Sequence, residues 1–401
     1  MRERIASTGL DLGNSYLMLS SAGDTLIRPR QTRNPIVSER LPKPHKWAAL
    51  LDRPSDASIE QFNASMASFW QPVLRSDDLV ANELKSVTLL GQPLVLARLD
   101  NQLTALLDVC RHFQAQLSLG EITSINGKQA VQCPYHGWAY GANGQCVRIP
   151  QLDGSRKIPA SIAVPRFSVA ESLGLIWVCL SGDPQFELPI FPEYDNPDFR
   201  VTTLDEQEPT KTSAPRMIMA TLDDTHFPWV HEGILGNRDQ VEAPDHTVTR
   251  ETSELVVRYR IDQPPSRATG GELLGAHNSE QLVSVGIEYE NTVHMPNFIT
   301  LRKTTPAGKY IICLATCPID YRHTKNFWTF AREYDKDPAN DKLYEEFSAH
   351  VRSQDKPIVE SQRPWLLPPF WTKIELPQAG IDEPLIEYQR WLQELGVVID
   401  L

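Results

Sequence analysis

Long apolar runs are missing from this 401-residue sequence. The best candidate, Gly174-Leu-Ile-Trp-Val-Cys-Leu180, is strand-sized and falls far short of the roughly 18 residues that a membrane span requires, so no membrane partner is expected. The segment Met1–Thr8 mixes acid and base and leads into no apolar h-region, which makes the cytoplasm the expected compartment. No Lys/Arg-rich block offsets a formal charge of −12, and nucleic-acid affinity rests on neutralising phosphates, so nucleic acid is not an expected partner. Cysteine is scarce: six residues are too few for a disulfide scaffold and read better as core fillers, redox groups or ligands. A Gly-rich nucleotide fingerprint after a strand is also missing, so the chain is not expected to draw electrons from NAD(P)H by itself. Neither an internal repeat nor a low-complexity tract is present.

With 41% hydrophobic and 22% charged residues, the sequence can bury sizeable cores, and its length suits two or three domains. Residues 1 to 61 lack sustained periodicity and read as an N-terminal arm, although Ile59, Phe62, Met66 and Phe69 suggest a short helix over Ser55–Trp70. From Val73 to Leu180, short Val/Leu/Ile runs between Gly, Asn and Asp predict an all-β module. Further on, β-type runs at Leu255–Tyr259, Val283–Ile287 and Tyr310–Leu314 alternate with helical stretches near 217–235, 340–363 and 384–395. An α+β fold follows, with a first domain over 62–185 and a second domain over 186–401.

The β module contains Cys110-Arg-His112 and, after twenty intervening residues, Cys133-Pro-Tyr-His136-Gly-Trp138. A structural zinc site usually places two Cys on one knuckle, whereas here each knuckle carries one Cys and one His. That order suits a Rieske [2Fe–2S] centre, in which two thiolates hold one iron and two imidazoles the other. Gly120, Gly137, Gly141 and Gly144 supply turn residues for loops closing over a cluster. Four Cys and His residues in a β core, or a zinc ribbon, are the competing readings.

The second constellation is Asp223-Asp-Thr-His226-Phe-Pro-Trp-Val-His231. Histidines at i and i+5 diverge by about 140° on a regular helix, so both reach one metal only if the turn is irregular, through Pro228 or a π-type bulge. The stripe Tyr344, Phe347, Val351 and Ile358 has Asp355 in phase with it, and a carboxylate on an apolar face is costly unless paired or metal-bound. His226, His231 and Asp355 could form the two-His, one-carboxylate triad of non-haem Fe(II) oxygenases. On periodicity alone, Asp355 as a surface residue paired with Arg352 or Lys356 is the competing reading.

The segment Cys133-Pro-Tyr-His-Gly-Trp-Ala-Tyr140 followed by Gly144-Gln-Cys-Val-Arg-Ile-Pro150 resembles the Rieske domain of ring-hydroxylating oxygenases. Asp223-x2-His226-x4-His231 and the segment from Gln354-Asp355 to Pro364 are similar to the iron-ligand segments of the homotrimeric members, such as vanillate and dicamba demethylases and carbazole and phthalate dioxygenases. The resemblance runs from about residue 62 to 396 and implies a helix-grip-like catalytic domain with an antiparallel sheet. It implies a Rieske [2Fe–2S] cluster on Cys110, His112, Cys133 and His136, and a mononuclear Fe(II) on His226, His231 and Asp355. O2 is the implied co-substrate, with electrons ultimately from NAD(P)H through a separate flavin reductase, a ferredoxin or both. Asp223 would lie between the iron-bound His of one subunit and the Rieske His of its neighbour in a homotrimer. Three departures stand out: Phe113 replaces an Arg often found after the first His, the loop between the knuckles is a few residues longer than usual, and Ala220 stands where an Asn is expected three residues before Asp223.

The implied activity is hydroxylation or demethylation of a bulky, aromatic or cyclic organic substrate by the terminal oxygenase component. A Rieske electron-transfer protein without oxygenase activity, and a zinc hydrolase at the second site, are the alternatives. Phe227, Trp229, Met295, Asn297 and Phe298 lie beside ligands or between the metal motifs and are candidate pocket residues, with core packing an equal alternative. Arg111, Lys128 and Arg148 are the cations near the cluster motif that could dock an acidic electron donor.

Overall fold

The computed structural model describes residues 54–153, 155–206, 208–270 and 284–397. The expected N-terminal arm thus lies outside the described residues up to position 53, and its end enters the first helix, α1 (Asp56–Met66). Ser55 caps α1 by accepting a hydrogen bond from the Ser58 amide, and Phe62 and Met66 are buried. The helix stops four residues short of the expected Trp70, and Phe69 packs into the same core from the following turn. A domain boundary at residue 62 would therefore cut α1.

Three antiparallel sheets follow among the described residues. A six-stranded sheet has the order β1-β10-β9-β4-β3-β2. It is built from β1 (Gln71–Arg75), β2 (Lys85–Leu89), β3 (Gln92–Leu99), β4 (Gln102–Leu107), β9 (Arg166–Ser172) and β10 (Leu175–Cys179). A four-stranded sheet runs in sequence order through β5 (Glu121–Ile125), β6 (Lys128–Gln132), β7 (Ala139–Tyr140) and β8 (Cys146–Arg148). The third sheet has seven strands in the order β11-β17-β16-β15-β14-β13-β12. These are β11 (Arg200–Asp205), β12 (Thr247–Glu251), β13 (Glu254–Gln263), β14 (Val285–His294), β15 (Phe298–Thr305), β16 (Gly308–Asp320) and β17 (His323–Arg332).

The helical stretch expected near 217–235 is broken into α2 (Ala214–Leu222) and the single turn α3 (Phe227–Val230). Two further helices are α4 (Asp341–Ser361), which keeps Pro357 inside it, and α5 (Glu383–Glu394), with Pro384 in its first turn. Among the described residues no helix is long and apolar enough to cross a membrane.

The six- and seven-stranded sheets share one apolar core. Trp177 of β10 lies 6.2 Å from Phe298 of β15, ring centre to ring centre, and the Leu90 and Gly91 amides donate to the Pro318 and Ile319 carbonyls. A smaller core, containing Val131, Tyr140, Cys110 and Cys133, fastens the four-stranded sheet to β3. Because neighbouring strands of the large sheet alternate faces with period two, Leu301 and Lys303 of β15, Tyr310 and Ile312 of β16, and Trp328 and Phe330 of β17 point the same way. That face looks onto α4, and a cavity lies between them.

Candidate active site

The Cys110 and Cys133 loops leave β4 and β6 at the edge of the smaller core. Cys110 and Cys133 are buried, whereas the rings of His112 and His136 are half-buried and meet edge to face with centres 4.5 Å apart. Asp108, fully buried, holds the first loop: its carboxylate accepts from the Ser118 amide at 2.7 Å and hydroxyl at 2.6 Å, and from the Ser86 hydroxyl at 3.2 Å. Gly137 turns the second loop at φ +73°, with its amide bonded to the Cys133 carbonyl. Gly120 has a different role from the turn expected of it, since a Cβ there would meet the Gln132 carbonyl oxygen at 1.9 Å. Tyr140 reaches from β7 to within 3.2 Å of Cys110 Sγ, its oxygen accepting from the Arg111 amide. Trp138 stacks on His112 with ring centres 4.4 Å apart and an interplanar angle of 6°.

These residues fit a Rieske cluster. His112 Nδ1 and His136 Nδ1 are both buried without a hydrogen-bond partner, a costly state for an imidazole nitrogen unless a metal takes its lone pair. Burial raises the pKa of the Cys133 thiol, so its thiolate needs a positive partner such as ferric iron.

The second site forms where the chain leaves α2. Asp223 is extended at φ −66°, ψ 137°, and turns its carboxylate back so that Oδ1 accepts from the Thr225 amide at 2.9 Å and hydroxyl at 2.8 Å. Its Oδ2 lies 3.1 Å from His226 Nδ1. His226 and His231 bracket α3 as its N-cap and C-cap residues, so neither is bound to regular helical geometry. The irregularity is therefore a break at Asp223 rather than a π-bulge, and Pro228 sits in the first turn of α3, where its missing N–H costs nothing. Gly236 lets the chain double back, because a Cβ there would meet Pro228 N at 2.7 Å.

The third group comes from α4. Asp355 Oδ1 lies 2.9 Å from His231 Nε2 and 3.6 Å from His226 Nε2, and the two Nε2 atoms are 3.3 Å apart. His226, His231 and Asp355 offer ligand atoms that all lie within 4.8 Å of one another, a geometry fitting one small cation. Gln354 Oε1 is 2.8 Å from His231 Nδ1, so both imidazoles have their far nitrogen engaged and their Nε2 free for a metal. Burial disfavours the charged form of His226, but the carboxylates of Asp223, Asp355 and Asp224 outweigh it and raise its pKa. Asp224 faces away and binds His246 Nε2 at 2.7 Å in a buried pair that ties the ligand segment to the start of β12. Burial dominates the Asp224 pKa and raises it.

Beside the triad lies a cavity of about 160 Å³. For scale, an apolar cavity of about 150 Å³ accepts benzene. Its helical wall includes Phe227, Phe347 and Val351, and its sheet wall Leu301, Tyr310 and Phe330; Ala220 lies on it too. Glu206 and Arg352 form a pair at 3.2 Å on its rim, and Glu206 also accepts from Trp328 Nε1 at 3.1 Å.

Of the expected pocket residues, Phe227 alone lines this cavity. Trp229 is 58% exposed and lies under the Arg238 guanidinium. Met295 is buried in the large core, and Phe298 is out of phase with Leu301 and Lys303, so it faces Trp177 instead. Asn297 is structural: its amide donates to the Trp70 and Thr316 carbonyls and to Gln71. Position beside a ligand misplaced Trp229, and position between the metal motifs misplaced Met295, Asn297 and Phe298. Of the residues that do form the wall, Phe347 and Val351 stood on the helical stripe that carries Asp355, whereas those of the sheet wall, such as Leu301 and Lys303, were signalled only by strand phase.

Residues 69–167 match the Rieske [2Fe-2S] domain family and residues 211–397 the vanillate O-demethylase oxygenase C-terminal domain. The chain is 32% identical to methylxanthine N1-demethylase NdmA of Pseudomonas putida over 84% of its own length and 92% of the relative. Methylxanthine N3-demethylase NdmB of the same organism is 29% identical over 82% and 89%. The structure of NdmA with caffeine superposes with a TM-score of 0.69 at 30% identity, covering 84% of this chain and 92% of that one. Dicamba monooxygenase bound to dicamba has a TM-score of 0.67 at 22% identity, covering 82% and 97%, a likeness of fold. With the Cys/His loops inside the first matched region and His226, His231 and Asp355 inside the second, the chain belongs to the Rieske non-haem iron oxygenases, as an oxygenase component that oxidises a small molecule with O2.

Proposed function

We propose that the chain demethylates or hydroxylates a ring compound, with Cys110, His112, Cys133 and His136 holding the [2Fe–2S] cluster and His226, His231 and Asp355 holding Fe(II). The observation that carries this reading is the convergence of the two Nε2 atoms and Asp355 Oδ1 on an apolar cavity. When bound, the cluster delivers electrons and the iron activates O2. For a methyl group on nitrogen or oxygen, one O2, two electrons and two protons convert it to formaldehyde and water, leaving the N–H or O–H product. The chain's own part is to orient the ligands and exclude water. Asp223 and Gln354 fix the imidazole rings, and the buried walls hold the substrate beside them.

Asp223 is also suited to link subunits in a homotrimer, touching His226 on one side and a neighbour's His112 or His136 on the other. Phe113 and Tyr135, 67% and 64% exposed beside those histidines, supply an apolar rim for that neighbour to cover. A separate reductase, with or without a ferredoxin, would supply electrons from NAD(P)H in the cytoplasm, and Arg111, Lys128 and Arg148, all exposed, are cations that could dock it.

Iron and acid-labile sulfide analysis, with O2 uptake and formaldehyde release across N-methyl and O-methyl ring compounds, tests the reading. One iron beyond the two of the cluster, and formaldehyde matching O2 consumed, is the expected result. Zinc in place of the third iron, or only cluster iron, overturns it.

A further inference from the structure

Lys303 is 2% exposed, on the face of β15 that forms the cavity wall. Among the described residues no carboxylate pairs with it, and its Nζ lies over the face of Tyr289, 5.2 Å from the ring centre. The Tyr289 hydroxyl is already spent on Gln263 Oε1 at 3.0 Å. The other charges on the cavity are accounted for: Arg352 neutralises Glu206, Asp223 is bound to His226, Asp355 belongs to the ligand set, and Lys356 Nζ donates to the Glu208 carbonyl. Burial alone pushes the Lys303 pKa down to about 7. A buried ammonium without a counter-charge destabilises a fold, and Leu or Met would fill the same strand position without that cost. With no carboxylate paired to it among the described residues, the position makes physical sense if the negative charge arrives with the ligand.

We infer that Lys303 is the specificity-determining residue of the cavity, and that the substrate class is a ring compound bearing an anionic oxygen, a carboxylate or an ionised ring hydroxyl. The ammonium, held over the Tyr289 ring, receives that end of the molecule, leaving the carbon to be oxidised toward His226, His231 and Asp355. This inference rests on the oxygenase reading of the site for its orientation, but not for the binding event.

Calorimetry on the metal-loaded chain at pH 7, with benzoate and 2-naphthoate against the neutral benzamide and 2-naphthamide, tests it. The wild-type chain should bind the carboxylates at least about tenfold more tightly than the amides, as a charge-assisted hydrogen bond in a dry site requires. Lys303→Met should bring acid and amide to equal affinity while leaving the cluster absorption spectrum and iron content unchanged; Lys303→Gln replaces it if the Met variant does not fold. Equal affinities in the wild-type chain, undetectable binding of both carboxylates, or an acid preference that survives in the variant each overturn the inference. O2 uptake measured alongside separates the two readings. Carboxylates that bind through Lys303 without stimulating uptake, while no methylated ring compound yields formaldehyde, count against the oxygenase reading alone. Amides that bind and stimulate uptake as well as the acids count against the role of Lys303 alone.

Discussion

The two histidine pairs of this chain are mounted in opposite senses. His112 and His136 sit at the half-exposed tips of β loops with Nδ1 turned inward and unpartnered, whereas His226 and His231 have Nδ1 tethered to Asp223 and Gln354 and present Nε2. The first arrangement leaves each ring half-exposed, where, on the proposed reading, an electron can leave toward another protein. The second locks each ring by a side chain behind it, so that ligand geometry is set before any metal arrives. Transfer between proteins needs an exposed edge, and holding a reacting centre needs a fixed ring with water kept away.

The largest effect should come from removing the group that closes the tethered pair. Asp355→Ala is expected to abolish the third iron and O2 uptake while the reduced cluster keeps its EPR signal, so the ratio of iron to sulfide falls to one. Retention of the extra iron would break the contrast. Next come the tethers: Gln354→Leu should weaken iron binding about 10- to 100-fold without touching the cluster, measured by competition with a chelator. Asp223→Ala should do the same at His226 and also slow oxidation of the prereduced cluster in a single turnover; rapid oxidation would remove its bridging role. At the other pair, Tyr140→Phe should leave the cluster assembled but lower its reduction potential, because the Cys110 sulfur loses a hydrogen-bond donor, and spectroelectrochemistry reads this directly. Smaller still, Asn297→Ala should cost about 1–3 kcal/mol of stability by stranding the Trp70 and Thr316 carbonyls, with metal content unchanged. Trp229→Ala, at an exposed site, should shift stability by no more than about 0.5 kcal/mol in thermal unfolding.

The same contrast explains what the sequence could disclose. Cluster candidates stand two and three residues apart in the knuckles, so local spacing reveals them. The Asp223 break was legible only as a requirement, because histidines at i and i+5 cannot share a metal on an unbroken helix. Asp355 needed helical phase plus resemblance, since its partner His231 is more than a hundred residues away in the chain. The sheet side of the cavity was hidden, because it is assembled from alternate residues of four strands whose register only the folded sheet fixes. Phe298 illustrates the error: beside the right residues in sequence, it is one step out of phase and belongs to the core shared with Trp177.

One helix carries more than its share of these assignments. Along α4, Phe347, Val351, Arg352, Gln354 and Asp355 serve the cavity, the rim pair, the tether and the ligand set together. Sliding or rotating that helix to admit a differently shaped guest would disturb all four at once. The strands across from it carry no such burden, and Leu301, Lys303, Tyr310, Ile312 and Phe330 can each change alone. Descendants of this chain with new appetites should therefore differ on the sheet side while the helix stays as it is, and a library confined to those strand positions is the short route to redirecting it.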